Sequence, residues 1–144
     1  MRHTFLVIVG IFISSAHTIG ALDQDYPTVS LSELKYNASK IRTRQWLLIN
    51  ILPRDIFLDC SIPGSVNIPT HMLTKKLASV KNHPRDRKII IYCAGKDCPL
   101  SKYAYQELVR MGFTDVRVFP GGMREWVQKG MAAQGICKSG YLLD

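Results

Sequence analysis

A chain of 144 residues, 47% apolar and 21% charged, has room for one compact domain and lies well away from the composition of chains that stay unfolded. Nineteen Lys and Arg against eleven Asp and Glu give a net charge of +8, a field that attracts nucleic acid, anionic lipid or small oxyanions without choosing among them. Four cysteines are too few for a disulfide-framework miniprotein, and no paired CxxC or His spacing marks a structural zinc site, so neither a metal nor a cofactor is expected.

Met1-Arg2-His3-Thr4 precedes an apolar run from Phe5 to Ile13, broken only by Gly10, and then a small and polar stretch ending at Ala21. This pattern reads as a secretory signal peptide over residues 1–21, with Ala16, Gly20 and Ala21 as candidate cleavage points. The apolar stretch falls short of the roughly 20 residues that a bilayer span requires, and no later segment is long and apolar enough. The expectation is an exported, monomeric protein, periplasmic if bacterial and otherwise secreted, free of the membrane once cleaved, with a single domain over residues 22–144. Cleavage removes Arg2 and no acid, so the basic balance belongs to the domain. Export also places the cysteines where disulfides persist. Asn37-Ala38-Ser39 matches the glycosylation sequon, a motif too common to carry weight alone.

Ser30 followed three residues later by Glu33 marks a short helix start. The apolar run Gln45 to Ile51 stops at Pro53 and reads as a buried strand. Ile62 to Pro69 is a turn followed by a short strand closed by a second proline. His71 to Val80 repeats apolar residues at helical spacing. Lys88-Ile89-Ile90-Ile91-Tyr92 is the clearest strand, and after the loop Cys93–Cys98, Pro99 opens a helix. Leu100, Ala104, Leu108 and Met111 share one face of that helix, and Gly112 ends it. Val116–Phe119 forms the next strand, Gly121-Gly122 a tight turn and Met123–Lys129 a last helix. Strand, helix, strand, helix in this order predicts an α/β fold with a mostly parallel sheet covered on both faces.

In parallel sheets, ligands bind beyond the carboxyl ends of the strands, and Cys93 is the first residue there. The loop Ala94–Cys98 leads straight into a helix N-terminus, so loop and helix amides are expected to face the sulfur as an anion cradle. The helix end alone is worth up to ~2 kcal/mol toward a nearby anion, roughly one pKa unit of a thiol, and further amides lower it more. Cys93 therefore reads as an anionic nucleophile, against the alternative of a small buried hydrophobe at a strand end.

The ordered set of Leu47-Leu48-Ile49-Asn50, the turn Ile62 to Pro69, Ile89-Ile90-Ile91-Tyr92-Cys93, Gly112-Phe113-Thr114-Asp115-Val116 and Gly121-Gly122-Met123-Arg124-Glu125-Trp126 resembles the rhodanese-like sulfurtransferase family, over about Val29 to Lys129. The resemblance implies a single rhodanese domain in which Cys93 takes a sulfane sulfur from a small anionic donor as a persulfide and passes it to a nucleophilic acceptor. The chain departs from the family at Asn50, where an acid is usual, and at Ser61, where a His commonly precedes the turn. Its active loop also holds a second cysteine, Cys98, so donor preference does not carry over. The sixth residue after Cys93 is Pro99, where the related dual-specificity phosphatases carry an Arg, so phosphatase activity is not expected.

The substrate-binding set is then Ala94, Gly95, Lys96, Asp97 and Cys98, with Gly95 allowing close backbone approach and Lys96, less so Lys102, drawing in an anion. Cys98 is a candidate resolving thiol that closes onto Cys93, a partner for Cys60 or Cys137, or a loop cap. The preferred reading couples Cys93 with Cys98 and leaves Cys60 and Cys137 free or joined to each other. Trp46 and Trp126 read as core aromatics. The histidines, at 3, 17, 71 and 83, lack metal spacing, and a thiolate held by amides needs no catalytic base. No aromatic interleaving accompanies the basic residues, so nucleic acid is not an expected partner. Two other functions stay open: a thiol–disulfide redox protein using Cys93 and Cys98, and a non-catalytic binding module.

Overall fold

The computed structural model describes residues 26–78 and 84–142; the predicted signal segment, residues 1–21, lies outside them. Four apolar runs form the strands β1 (Leu47–Asn50), β2 (Val66–Asn67), β3 (Ile89–Tyr92) and β4 (Val116–Phe119). All pair in parallel in the order β2-β1-β3-β4, with Ile49 opposite both Val66 and Ile91, and Ile91 opposite Val118. Every residue of β1 and β3 is buried, as central strands covered on both faces require. The chain before the first helix runs parallel along the outer edge at β4, with the Val29 amide donating to Val118 O and the Val118 amide to Pro27 O.

Strand alternation divides the core into two layers. Ile49, Ile89 and Ile91 face α4 (Leu73–Ala78) and α5 (Leu100–Arg110), which bury Leu73, Leu77, Ala104 and Leu108 against them. Leu48, Ile90 and Tyr92 face α1 (Leu31–Tyr36), α2 (Ala38–Arg42) and α6 (Gly122–Gln128), which contribute Leu34, Ile41, Met123 and Trp126. The expected α/β architecture with helices on both faces is the one observed. Ser30 caps α1, its hydroxyl accepting from the Glu33 amide at 3.1 Å. At the end of α5, Gly112 adopts φ +88°, a left-handed cap that lets the Phe113 amide donate back to Leu108 O.

Several expectations change in detail. The helix predicted over His71 to Val80 begins as a 3-10 turn at Thr70–Met72 and continues as α4, with Ser79 and Val80 outside the described residues. α3 (Arg54–Asp59) and α2 carry no sequence signal of comparable strength; the apolar residues of α3, Ile56 to Leu58, are consecutive rather than at helical spacing, and none is fully buried. Trp126 is a core residue, its indole N–H donating to Ala132 O, whereas Trp46 is only half-buried and lies beneath the ammonium groups of Lys40 and Lys88. Asn37 is buried, and its side-chain amide donates to Glu33 O at 2.9 Å, so the sequon does not present an open acceptor. Among the described residues, no helix is long and apolar enough to cross a membrane.

After α6 the chain folds back as a strap. Gln134 and Ser61 exchange backbone hydrogen bonds, Cys137 is joined to Cys60 by a disulfide, and Leu142 is buried in the second core layer. The Asp59 carboxylate accepts from the Ser139 hydroxyl above all, and from the amides of Lys138 and Ser139, which hold its pKa below the ordinary value.

Candidate active site

The end of β3 delivers Cys93 to the carboxyl edge of the sheet, between β1 and β4. The loop Cys93–Cys98 is pinned from below: the Cys93 carbonyl accepts from the Met123 amide at 2.9 Å, and the Ala94 carbonyl from the Arg124 amide at 2.8 Å. Such an approach is possible only because Gly122 lacks a side chain. Gly122 has φ +59°, and a Cβ there would lie 2.5 Å from Cys93 O and 2.8 Å from Gly95 N. Gly121-Gly122, expected only as a tight turn, is thus the seat of the cysteine loop.

Within the loop the carbonyls of Cys93, Ala94, Gly95 and Cys98 are occupied, while four consecutive amides are open. Gly95 O accepts from the Cys98 amide and Cys98 O from the Ser101 amide, but the amides of Ala94, Gly95, Lys96 and Asp97 donate to no acceptor among the described residues. Open amides followed by the first turn of the eleven-residue α5 are what an anion cradle needs. Cys93 itself is 1% exposed and is bonded to Cys98, with 6.3 Å between their Cα atoms. The nucleophile inferred from sequence is therefore held as a disulfide with the predicted resolving partner, and the second pair is Cys60 with Cys137. The described chain has no free cysteine.

Of the predicted substrate-binding residues, Gly95 is buried, Ala94 and Cys98 are half-buried, and Lys96 and Asp97 are exposed. Gly95, Lys96 and Asp97 line a cleft of about 440 Å³ whose other wall is Gly121, Arg124, Glu125, Gln128 and Lys129 from the start and outer face of α6. Lys102 is exposed but does not line it. The α6 wall was not anticipated; the only sequence signal for it is that the Gly-Gly pair precedes a helix. A larger cleft, about 670 Å³, sits at the opposite end of the strands, around Lys40, Trp46, Lys88 and Asp115, away from Cys93. Among the described residues, no group of His, Cys, Asp and Glu could hold a metal ion.

Beneath the loop, buried polar groups stand where the sequence departs from the family pattern. Asn50 Oδ1 accepts from the Leu52 amide at 2.9 Å, and Asn67 bridges to Leu52 O at 2.8 Å. Tyr92, at the end of β3, accepts from the Ile62 amide and shares a hydrogen bond with Ser65; burial pushes its hydroxyl pKa up. Tyr92 and Ser65 thus brace the turn after Cys60, while Asn50 and Asn67 tie the end of β1 to β2 and to Leu52.

Residues 31–129 match the model of the rhodanese-like domain. The chain belongs to that family. It is 31% identical over 84 residues to the HTH-type transcriptional regulator Rv0324 of Mycobacterium tuberculosis, an alignment covering 58% of this chain and 35% of the relative, so the chain spans about a third of that protein. It is 29% identical over 117 residues to the human thiosulfate:glutathione sulfurtransferase, covering 72% of this chain and 95% of the relative. Among solved structures, the BH2092 protein of Bacillus halodurans superposes with a TM-score of 0.68 at 20% identity, over 78% of this chain and 79% of that one, a likeness of fold. The rhodanese-like fold places Cys93 at the carboxyl edge, where the sequence pattern put it.

Proposed function

We propose that this protein is an exported, monomeric sulfurtransferase in which Cys93 carries sulfane sulfur as a persulfide. The observation that carries the reading is a cysteine at the carboxyl end of the central strand β3, opening a loop whose amides from Ala94 to Asp97 have no acceptor among the described residues. Such amides stabilise a thiolate and, after loading, the terminal persulfide sulfur. The relative named thiosulfate:glutathione sulfurtransferase supports thiosulfate as donor and a small thiol as acceptor. The basic and apolar start of residues 1–21 supports export. No cofactor and no nucleic acid are invoked.

The cycle begins with reduction. A dithiol reductant exchanges with the Cys93–Cys98 bond, becomes a disulfide itself and leaves two thiols on the protein. The Cys93 thiolate attacks the outer sulfur of thiosulfate; a sulfur–sulfur bond forms, the bond to the sulfonate sulfur breaks, and sulfite departs with its electron pair. An acceptor thiolate then takes the terminal sulfur as its own persulfide and regenerates the Cys93 thiolate. The test is sulfite release from thiosulfate by reduced protein with a thiol acceptor: Cys93→Ser abolishes it, while Cys98→Ser retains the first sulfur-loading step.

The Cys93–Cys98 disulfide favours one other reading, a thiol–disulfide redox protein. Its cysteines are spaced more widely than a CxxC pair. Equal loss in both variants, with the disulfide passing to a substrate dithiol, would support it over sulfur transfer.

A further inference from the structure

We infer that Arg124 is the residue that recognises the anionic group of the sulfur donor, and that the C-terminal strap exists in part to aim it. The inference rests on the sulfur-transfer reading and adds a specificity-determining residue to it. Arg124 shares its cleft with Gly95, Lys96 and Asp97, and its guanidinium lies 3.5 Å from the position a Gly95 Cβ would take. Its main chain is fixed by the hydrogen bond to Ala94 O, so side chain and cysteine loop keep one relative position.

The guanidinium pairs with no carboxylate among the described residues, although Asp97 and Glu125 line the same cleft. Instead Nε donates to Tyr141 O at 3.0 Å, which leaves the two terminal nitrogens for a ligand. Tyr141 is held in turn by the strap, through the Cys60–Cys137 disulfide and the bonds of Lys138 and Ser139 to Asp59. A half-buried arginine, oriented by a neutral carbonyl and lining a cleft with Gly95 of the cysteine loop, suits the doubly charged, three-oxygen end of thiosulfate. That end becomes the leaving sulfite, so a cation there stabilises both the bound donor and the departing charge.

The test compares two donors on the reduced protein: thiosulfate, a dianion, and methanethiosulfonate, which also delivers one sulfane sulfur but leaves as a singly charged sulfinate. Arg124→Gln is expected to raise KM for thiosulfate about tenfold, and to move KM for methanethiosulfonate far less. Arg124→Lys, which keeps the charge and loses the fork, should fall between. Thermal melting of both variants shows whether the fold survives; if Arg124→Gln does not fold, the Lys variant's donor ratio decides. An equal change for both donors, or none, would overturn the assignment. Failure of the wild type to load sulfur from either donor would instead overturn the sulfur-transfer reading.

Discussion

The Met123 amide donates to the carbonyl oxygen of Cys93 at 2.9 Å, joining the start of α6 to the loop that carries the candidate nucleophile. Two consecutive bonds, the second from the Arg124 amide to Ala94 O, fix the loop through its own carbonyls and leave the amides of Ala94 to Asp97 without an acceptor among the described residues. The cleft therefore depends on a helix nearly thirty residues downstream of the cysteine.

Gly122→Ala tests this relationship. A Cβ at φ +59° and 2.5 Å from Cys93 O must push α6 off the loop. Strain of this kind costs about 2 kcal/mol or more. Denaturant unfolding should show that loss, together with weaker sulfur loading. An unchanged unfolding midpoint would mean that α6 is not seated on the loop as described.

The Cys60–Cys137 bond closes a loop of 77 residues, long enough to remove substantial entropy from the unfolded chain. Cys60→Ser with Cys137→Ser should destabilise by about 4 kcal/mol. Arg124 would lose its aim at the same time, so the double variant should also show a raised KM for thiosulfate. A variant as stable as the wild type would show that the disulfide contributes nothing to the fold.

Alkaline pH isolates Tyr141. Its hydroxyl is buried without a partner among the described residues, and burial first, then the nearby Asp59 charge, pushes its pKa up to about 12 from 10.0. The folded pKa lies above the unfolded one, so this group's contribution is complete below pH 10 and is lost as pH rises through about 12. Tyr141→Phe should leave stability near neutral pH almost unchanged, because no hydrogen bond is lost. Above pH 10 the variant should lose stability less steeply than the wild type, with Tyr92 still titrating in both. Unfolding midpoints measured at neutral and alkaline pH check this; parallel curves would contradict it.

The sheet and the cysteine loop were legible because hydrophobic runs and turn chemistry are local signals. Ile89–Tyr92, Pro99 and Gly112 each act within a few residues of themselves, and the elements follow them closely. α3 was not legible, since it is only six residues long, its three apolar residues Ile56, Phe57 and Leu58 are consecutive and trace no helical stripe, and none of them is fully buried. The α6 wall of the cleft and the pairing of Cys60 with Cys137 are long-range facts. No spacing rule connects residue 60 to 137 or Arg124 to Tyr141, because only the folded chain brings them together. Trp46 misled for a related reason: an indole at a strand's first end is read as core, yet two lysines cover it.

The most direct measurement is the mass of the protein after the Cys93–Cys98 bond has been reduced and thiosulfate added, with peptide mapping of the modified residue. The account predicts one added sulfur atom on Cys93, its loss on adding a thiol acceptor, and the same loading in Cys98→Ser. Reduced protein that gains no sulfur, or gains it elsewhere than Cys93, would contradict it.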